Sequence, residues 1–249
     1  MKLSVVIPAR NEEGSIAPTL EGVTGALSRA GIEHEIVVVD DASTDGTSAL
    51  AHRLADELGR IVVVDRAARR GLGSAYREGL GLALARGSDV CVQIDADLSH
   101  DPAVLPALLA NVEHGADLAI GSRYVPGGIT ENWPYRRRLL SRWGNRYAAG
   151  LLGLAVNDAT SGYRAYRSEA LERIRYDTVG ADGYGFQIEM THRLVRAGGS
   201  IVEFPIRFRD RRAGESKMSR GIVREAARLV LQLWYQDRRD RRRRRRITG

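Results

Sequence analysis

Asp95 and Asp97 are two carboxylates, one residue apart, that close an apolar run in the stretch VCVQIDADLSHDP. Residues 90–94 read as a buried strand delivering both acids to the edge of a sheet. Residues two apart on a strand can face the same way. Two bare carboxylates side by side repel unless a cation sits near them. Hard oxygen ligands suit Mg²⁺ or Mn²⁺, and Mg²⁺ typically takes one or two carboxylates plus substrate phosphates. The pair therefore reads as a metal held against a diphosphate. The alternative is a loop in which one Asp caps the helix starting near Pro102. Asp101, just before that proline, already suits the cap, which leaves Asp95 and Asp97 without a structural task.

A second acidic cluster, Asp40-Asp41-Ala42-Ser43-Thr44-Asp45, follows another apolar run. A carboxylate there can accept hydrogen bonds from a base or a ribose. One of Ser43, Thr44 and Asp45 serves as a helix cap, but one helix does not need three acids. Gly71-Leu72-Gly73 lacks the third glycine of a dinucleotide fingerprint, because Tyr76 stands there. No Walker A, HExxH or CxxC sequence occurs, which argues against P-loop and zinc chemistry. The scattered histidines, His100 among them, read as structural.

Strands must end where these clusters begin. Apolar runs at 3–7, 35–39, 61–64, 89–94 and 117–121 alternate with helical stretches, the first of them capped by Asn11. That alternation is the pattern of a parallel sheet covered on both faces, in which ligands bind at the carboxyl ends of strands. A helix is expected over 135–152, with Arg138, Arg142 and Arg146 on one face beside Leu139, Leu140, Trp143 and Tyr147. Such a helix either docks on the sheet or lies at a membrane surface. Further on come a helix at 184–197, a strand at 200–208, a basic loop at 209–217 and a second amphipathic helix at 222–234.

The chain has 249 residues, 43% hydrophobic and 28% charged, with a formal net charge of +7. Eight Arg and two Asp between 237 and 246 account for most of that excess, so the body is close to neutral. A nucleic-acid-binding protein would carry a basic face on the body itself, and that class is set aside: no nucleic acid partner is expected. The domain is expected to span 1–236, followed by a disordered basic tail at 237–249. Cys91, the only cysteine, lies in an apolar strand and fits a reducing compartment. The N-terminal apolar run is too short for a signal peptide, and no stretch is long enough to span a bilayer. A cytoplasmic protein, attached peripherally to the inner face of the plasma membrane, is the expectation.

In combination, Pro8-Ala-Arg-Asn-Glu12, Asp40-Asp-Ala-Ser-Thr-Asp-Gly-Thr47 and Asp95-Ala-Asp97 resemble a family 2 glycosyltransferase of the GT-A fold. Ala119-Ile-Gly-Ser-Arg-Tyr124, Glu131-Asn-Trp-Pro134, Ser161-Gly-Tyr163 and Gly214-Glu-Ser-Lys217 resemble the dolichol-phosphate mannose synthase branch in its bacterial, polyprenol-monophosphate form. The resemblance runs from about Lys2 to Glu225. It implies a Rossmann-like α/β fold with a mostly parallel sheet, and mannose transfer from GDP-mannose to a polyprenyl monophosphate, with Mg²⁺ or Mn²⁺.

Residue by residue, the resemblance implies a donor site of Pro8, Arg10 and Glu12, the guanosine pair Val39 and Asp41, and the donor and metal motif Asp95, Ala96 and Asp97. Arg211 and Lys217 match donor-phosphate contacts, and Arg123, Arg137 and Ser141 match the acceptor-phosphate groups. Asp95, Asp97 and Arg123 form the catalytic set. Two positions depart from the pattern. Arg10 stands where an aromatic is common, and Ser99 stands where the archaeal branch has a metal-binding Gln, so Ser99 is left out of the metal set.

The implied acceptor needs no base, because a phosphate monoester with a second pKa of about 6 is largely dianionic at neutral pH. Partners implied are GDP-mannose, a polyprenyl monophosphate, an anionic membrane surface and a membrane protein. A donor such as UDP-glucose is the enzymatic alternative. A non-catalytic relative is disfavoured by the intact acidic motifs.

Overall fold

The computed structural model describes residues 1–210 and the helical backbone of 220–247, with side chains of that helix given over 224–239. β1 (Leu3–Ala9), β2 (His34–Asp40), β3 (Ile61–Asp65) and β4 (Val90–Gln93) alternate with α1 (Ile16–Arg29), α2 (Thr47–Leu58) and α3 (Leu72–Ala85). A turn of 3₁₀ helix at Pro102–Val104 leads into α4 (Leu105–Glu113), followed by β5 (Leu118–Ser122), β6 (Ile129–Glu131) and α5 (Tyr135–Leu152). The chain continues through β7 (Arg164–Arg167), α6 (Ser168–Arg173), α7 (Gly183–Arg196), β8 (Ile201–Pro205), β9 (Arg207–Arg209) and α8 (Arg220–Ile247).

Seven strands form one sheet in the order β3-β2-β1-β4-β7-β5-β8. All neighbours are parallel except β7, which runs antiparallel between β4 and β5. β1 and β2 are buried on nearly every residue because both faces are covered. Alternate residues enter different cores. Val5, Ile7, Ile36 and Val38 pack with α1, α2 and α4, whereas Val6, Val37, Val39 and Cys91 pack with α3, α5, α7 and α8. β1, β2, β4 and β5 therefore end together; Arg10, Asp41 and Arg123 follow their strands directly, and Asp95 comes one residue further on.

Several local expectations change. Asn11 does not cap α1; it sits at φ +52° and its side-chain carbonyl accepts from the Thr44 amide at 2.9 Å, tying two site loops together. Asp45 accepts from the Thr47 amide at 3.1 Å at the start of α2. Asp101 accepts from the Ala103 amide at 2.9 Å, the cap expected of it. The expected strand at 200–208 divides at Pro205-Ile206, since proline has no amide for a ladder. β9 then pairs with β6 in a separate two-stranded ribbon. At the C-terminus the backbone stays helical to Ile247 where a disordered tail from 237 was expected; arginine is a good helix former when the chain is already nucleated.

Candidate active site

The Asp95–Asp97 turn is held from three sides. Tyr76, fully buried on α3 and stacked on Phe186 at 5.8 Å, donates its hydroxyl to Asp95 Oδ1 at 2.9 Å. Gly162 backs onto the same carboxylate; a Cβ there would lie 3.0 Å from Asp95 Oδ2, so only glycine allows that approach without displacing it. Asp97 is 5% exposed, and its Oδ1 accepts from the Ser99 amide at 3.1 Å. Leu98 takes φ +61° to close this turn.

Among the described residues no three His, Cys, Asp or Glu side chains gather closely enough to hold an ion alone. The donor set still fits Mg²⁺ or Mn²⁺, because two carboxylates meet orphaned polar atoms. Ser99 Oγ and both ring nitrogens of His100 are buried without a hydrogen-bond partner, and His100 Nε2 lies 3.6 Å from Asp95 Oδ2. A hard cation that takes its remaining ligands from phosphate and water suits that site.

On one side of the carboxylates lies a cleft of about 460 Å³ lined by Pro8, Arg10, Glu12, Asp41, Asp95, Ala96 and Asp97. The structure brings these expected donor residues together. Arg10 keeps Nη1 buried and unpartnered there. Asp41 accepts from the Arg66 guanidinium at 3.0 Å and from the amides of Arg70 and Gly71 at 2.8 and 2.9 Å. Burial alone would raise its carboxyl; those hydrogen bonds outweigh it and hold the group below the usual carboxylate range. Val39 does not reach the cleft, since its side chain is fully buried in the core below. Arg211 and Lys217 lie outside the described residues.

On the other side is a smaller chamber lined by Asp95, Asp97, His100, Arg123, Trp133, Arg137, Phe208 and Asp210. Arg123 donates from Nε and Nη2 to the two oxygens of Asp158 at 2.7 and 2.6 Å, and from Nη2 to Thr160 at 2.8 Å. Asp158 has no exposed surface. Burial pushes its carboxyl up, but the charge and hydrogen bonds of Arg123 prevail and keep it ionised. Arg137 lies over the Trp133 ring at 4.2 Å and is paired with Asp210. Ser141 shares a 2.6 Å hydrogen bond with Tyr124. It lines a third, mostly apolar groove between α5 and α8 with Leu140, Trp143, Ile188, Ala226 and Val230. The three expected acceptor groups are thus placed along one path. Tyr184 lines all three spaces.

Sequence reasoning missed Tyr76, Asp158, Tyr184 and Asp210. Asp158 stood in a polar turn whose partner lies 35 residues away, a pairing no spacing rule reveals.

Residues 4–175 match the family described as glycosyl transferase family 2. The chain belongs to that family. It is 47% identical over 238 residues to the polyprenol monophosphomannose synthase of Mycolicibacterium smegmatis, covering 95% of this chain and 88% of that one. To the undecaprenyl-phosphate mannosyltransferase of Micrococcus luteus it is 48% identical over 226 residues, covering 91% of each. The dolichol-phosphate mannosyltransferase of Pyrococcus furiosus is 36% identical over 94% of this chain, which spans 64% of that protein.

Among solved structures, glucosyl-3-phosphoglycerate synthase from Mycobacterium tuberculosis with phosphoglyceric acid matches at TM-score 0.69 and 25% identity, over 93% of this chain and 79% of that one. The same enzyme with Mn²⁺, uridine diphosphate and glucosyl-3-phosphoglycerate matches at 0.64 and 27%, with the same coverage. The fold is of the GT-A kind, and this family 2 glycosyltransferase places its acidic motifs at the strand ends that such a fold uses.

Proposed function

We propose that this glycosyltransferase moves mannose from GDP-mannose to a polyprenyl monophosphate, with inversion at the anomeric carbon. The observation that carries the reading is the row of three spaces. A cleft edged by charged side chains, a chamber holding two arginines and three carboxylates, and an apolar groove share lining residues in that order. A nucleotide sugar, a phosphate and a prenyl chain match them in turn. The relatives' names fit the same pairing of sugar and lipid phosphate.

In this reading Asp95 and Asp97 hold Mg²⁺ or Mn²⁺, which supplies charge neutralisation for the donor diphosphate when bound. Arg10 and Asp41 seat the nucleotide end, and Tyr76 fixes the Asp95 carboxylate. Arg123 and Arg137 receive the acceptor phosphate and offset its repulsion from the donor. A phosphate oxygen then attacks the anomeric carbon, a new C–O bond forms on the opposite face, and the bond to GDP breaks with its electron pair leaving on the diphosphate. Arg211 and Lys217 join the donor-phosphate contacts in this proposal.

The acceptor places the enzyme at a membrane, and α5 offers a contact surface. Tyr135, Leu139, Leu140 and Trp143 are 68, 55, 43 and 63% exposed, among exposed Arg136, Arg138, Arg142 and Arg146. Apolar and aromatic side chains flanked by cations suit the headgroup zone of an anionic leaflet, here the inner face of the plasma membrane. No helix among the described residues is long and apolar enough to cross a membrane.

The test is transfer from labelled GDP-mannose to a short polyprenyl phosphate, with and without EDTA, beside UDP-glucose. Mannose transfer that stops with EDTA is expected. Preference for UDP-glucose would remove the donor assignment, and EDTA-resistant turnover would remove the metal.

A further inference from the structure

Arg123 and Arg137 face the same chamber, yet their counter-ions differ in kind. Asp158 takes Nε, Nη2 and the backbone amide of Arg123 and has no exposed surface. Arg137 reaches Asp210 through Nη1 alone, at 2.9 Å to each carboxylate oxygen. That pair is 21 and 33% exposed, and Arg137 Nε is buried without a partner. Asp210 also lines the chamber beside Asp95 and Asp97. Arg137 is therefore held against Trp133 by a carboxylate that engages only part of its fork.

We infer that Asp210 is the resident counter-ion of the acceptor-phosphate site, a positioning residue that occupies Arg137 until a phosphomonoester displaces it and recovers Arg137 when the product forms. The inference rests on the acceptor reading of that chamber. A dianionic monoester brings more charge than a carboxylate and outcompetes it for Nη1. Transfer converts it into a phosphodiester with a single charge, whose hold on Arg137 is no stronger than that of Asp210. The same competition that weakens acceptor binding thus favours product departure. It also keeps Arg137 from standing uncompensated beside the empty chamber.

The experiment compares wild type, Asp210→Asn and Asp210→Glu in full-length protein. Acceptor KM, kcat and inhibition by mannosyl-phosphoryl-polyprenol are measured by transfer, and inorganic phosphate binding by calorimetry without donor. Asp210→Asn is expected to lower acceptor KM, the product inhibition constant and the phosphate Kd by about fivefold each, the scale of a partly exposed ion pair. Asp210→Glu should restore wild-type values. In an Arg137→Ala background the Asn substitution should change none of them, since the effect runs through Arg137. Unchanged or raised KM and Kd in Asp210→Asn would overturn the inference and make Asp210 a plain support for Arg137. Tighter phosphate binding without any mannose transfer by wild type would overturn the proposed function and leave the counter-ion role standing.

Discussion

Asp97 and Asp95 are held differently, and the difference assigns their work. Asp97 is 5% exposed and fixed by the Ser99 amide, whereas the Asp95 side chain is 28% exposed and steered by Tyr76. Asp97→Ala should abolish mannose transfer, below about 10⁻³ of wild type, with an unchanged far-UV circular dichroism spectrum. Near-normal turnover would sink the metal assignment. Asp158→Ala should act on the fold instead. It strands the Arg123 guanidinium in a buried site, a change that costs about 3–5 kcal/mol and should lower Tm by about 10 °C. Residue type and spacing made Asp95, Asp97 and the basic groups legible from sequence alone. What they could not convey is commitment: Arg123 and Arg137 each come with a carboxylate contributed by a distant segment.

Helix 135–152 was legible to the residue, because its apolar positions recur at helical spacing and Gly153 stops it in the left-handed region at φ +60°. Its environment was not. Periodicity gives a stripe without saying what covers it. Asn145, Ala148 and Leu152 turn inward, whereas Leu139, Leu140 and Trp143 stay in solvent. α8 resolves the other way. Val230 and Leu233 are buried and Ala226, Leu229 and Trp234 pack on the core, so most of its apolar side faces the protein, and Ala226 and Val230 also line the groove matched to the prenyl chain. Attachment should then depend on α5. Leu139→Glu with Trp143→Glu is expected to reduce sedimentation with anionic vesicles at least tenfold. Both positions are well exposed, so Tm should hold. Equal sedimentation of the double variant and wild type would move the membrane contact elsewhere.

At the scale of the molecule, sheet order follows from alternating strands and helices, and the parallel half was legible for that reason. The antiparallel β7 and the β6–β9 ribbon were not, since three or four residues carry too little pattern to fix direction. The C-terminal helix closes the molecule through Asp237, which accepts from Arg196 and His192 of α7. Burial works to raise the Asp237 carboxyl, but hydrogen bonds from Arg196 and His192 prevail and hold it below the usual range. A depressed carboxylate contributes its full stability above its unfolded pKa of about 3.9 and loses it as pH falls through the folded value. Asp237→Asn should therefore melt earlier than wild type at pH 7, and the gap should narrow as pH falls below about 4. Thermal melts at stepped pH measure this, and a gap that widens in acid would contradict it.

Cys91 sits at the centre of the sheet with no exposed surface, and burial pushes its thiol up to about 12. One silent sulfhydryl in the middle of the core is a clock for opening. A thiol reagent should leave the native protein unlabelled for hours. It should modify one group per chain only as fast as β4 parts from its neighbours, so labelling rates would report rare openings of the sheet below the denaturation midpoint. Bound nucleotide should slow that labelling in proportion to its occupancy. The stability of this enzyme can then be followed under working conditions, in the presence of lipid and without an optical probe.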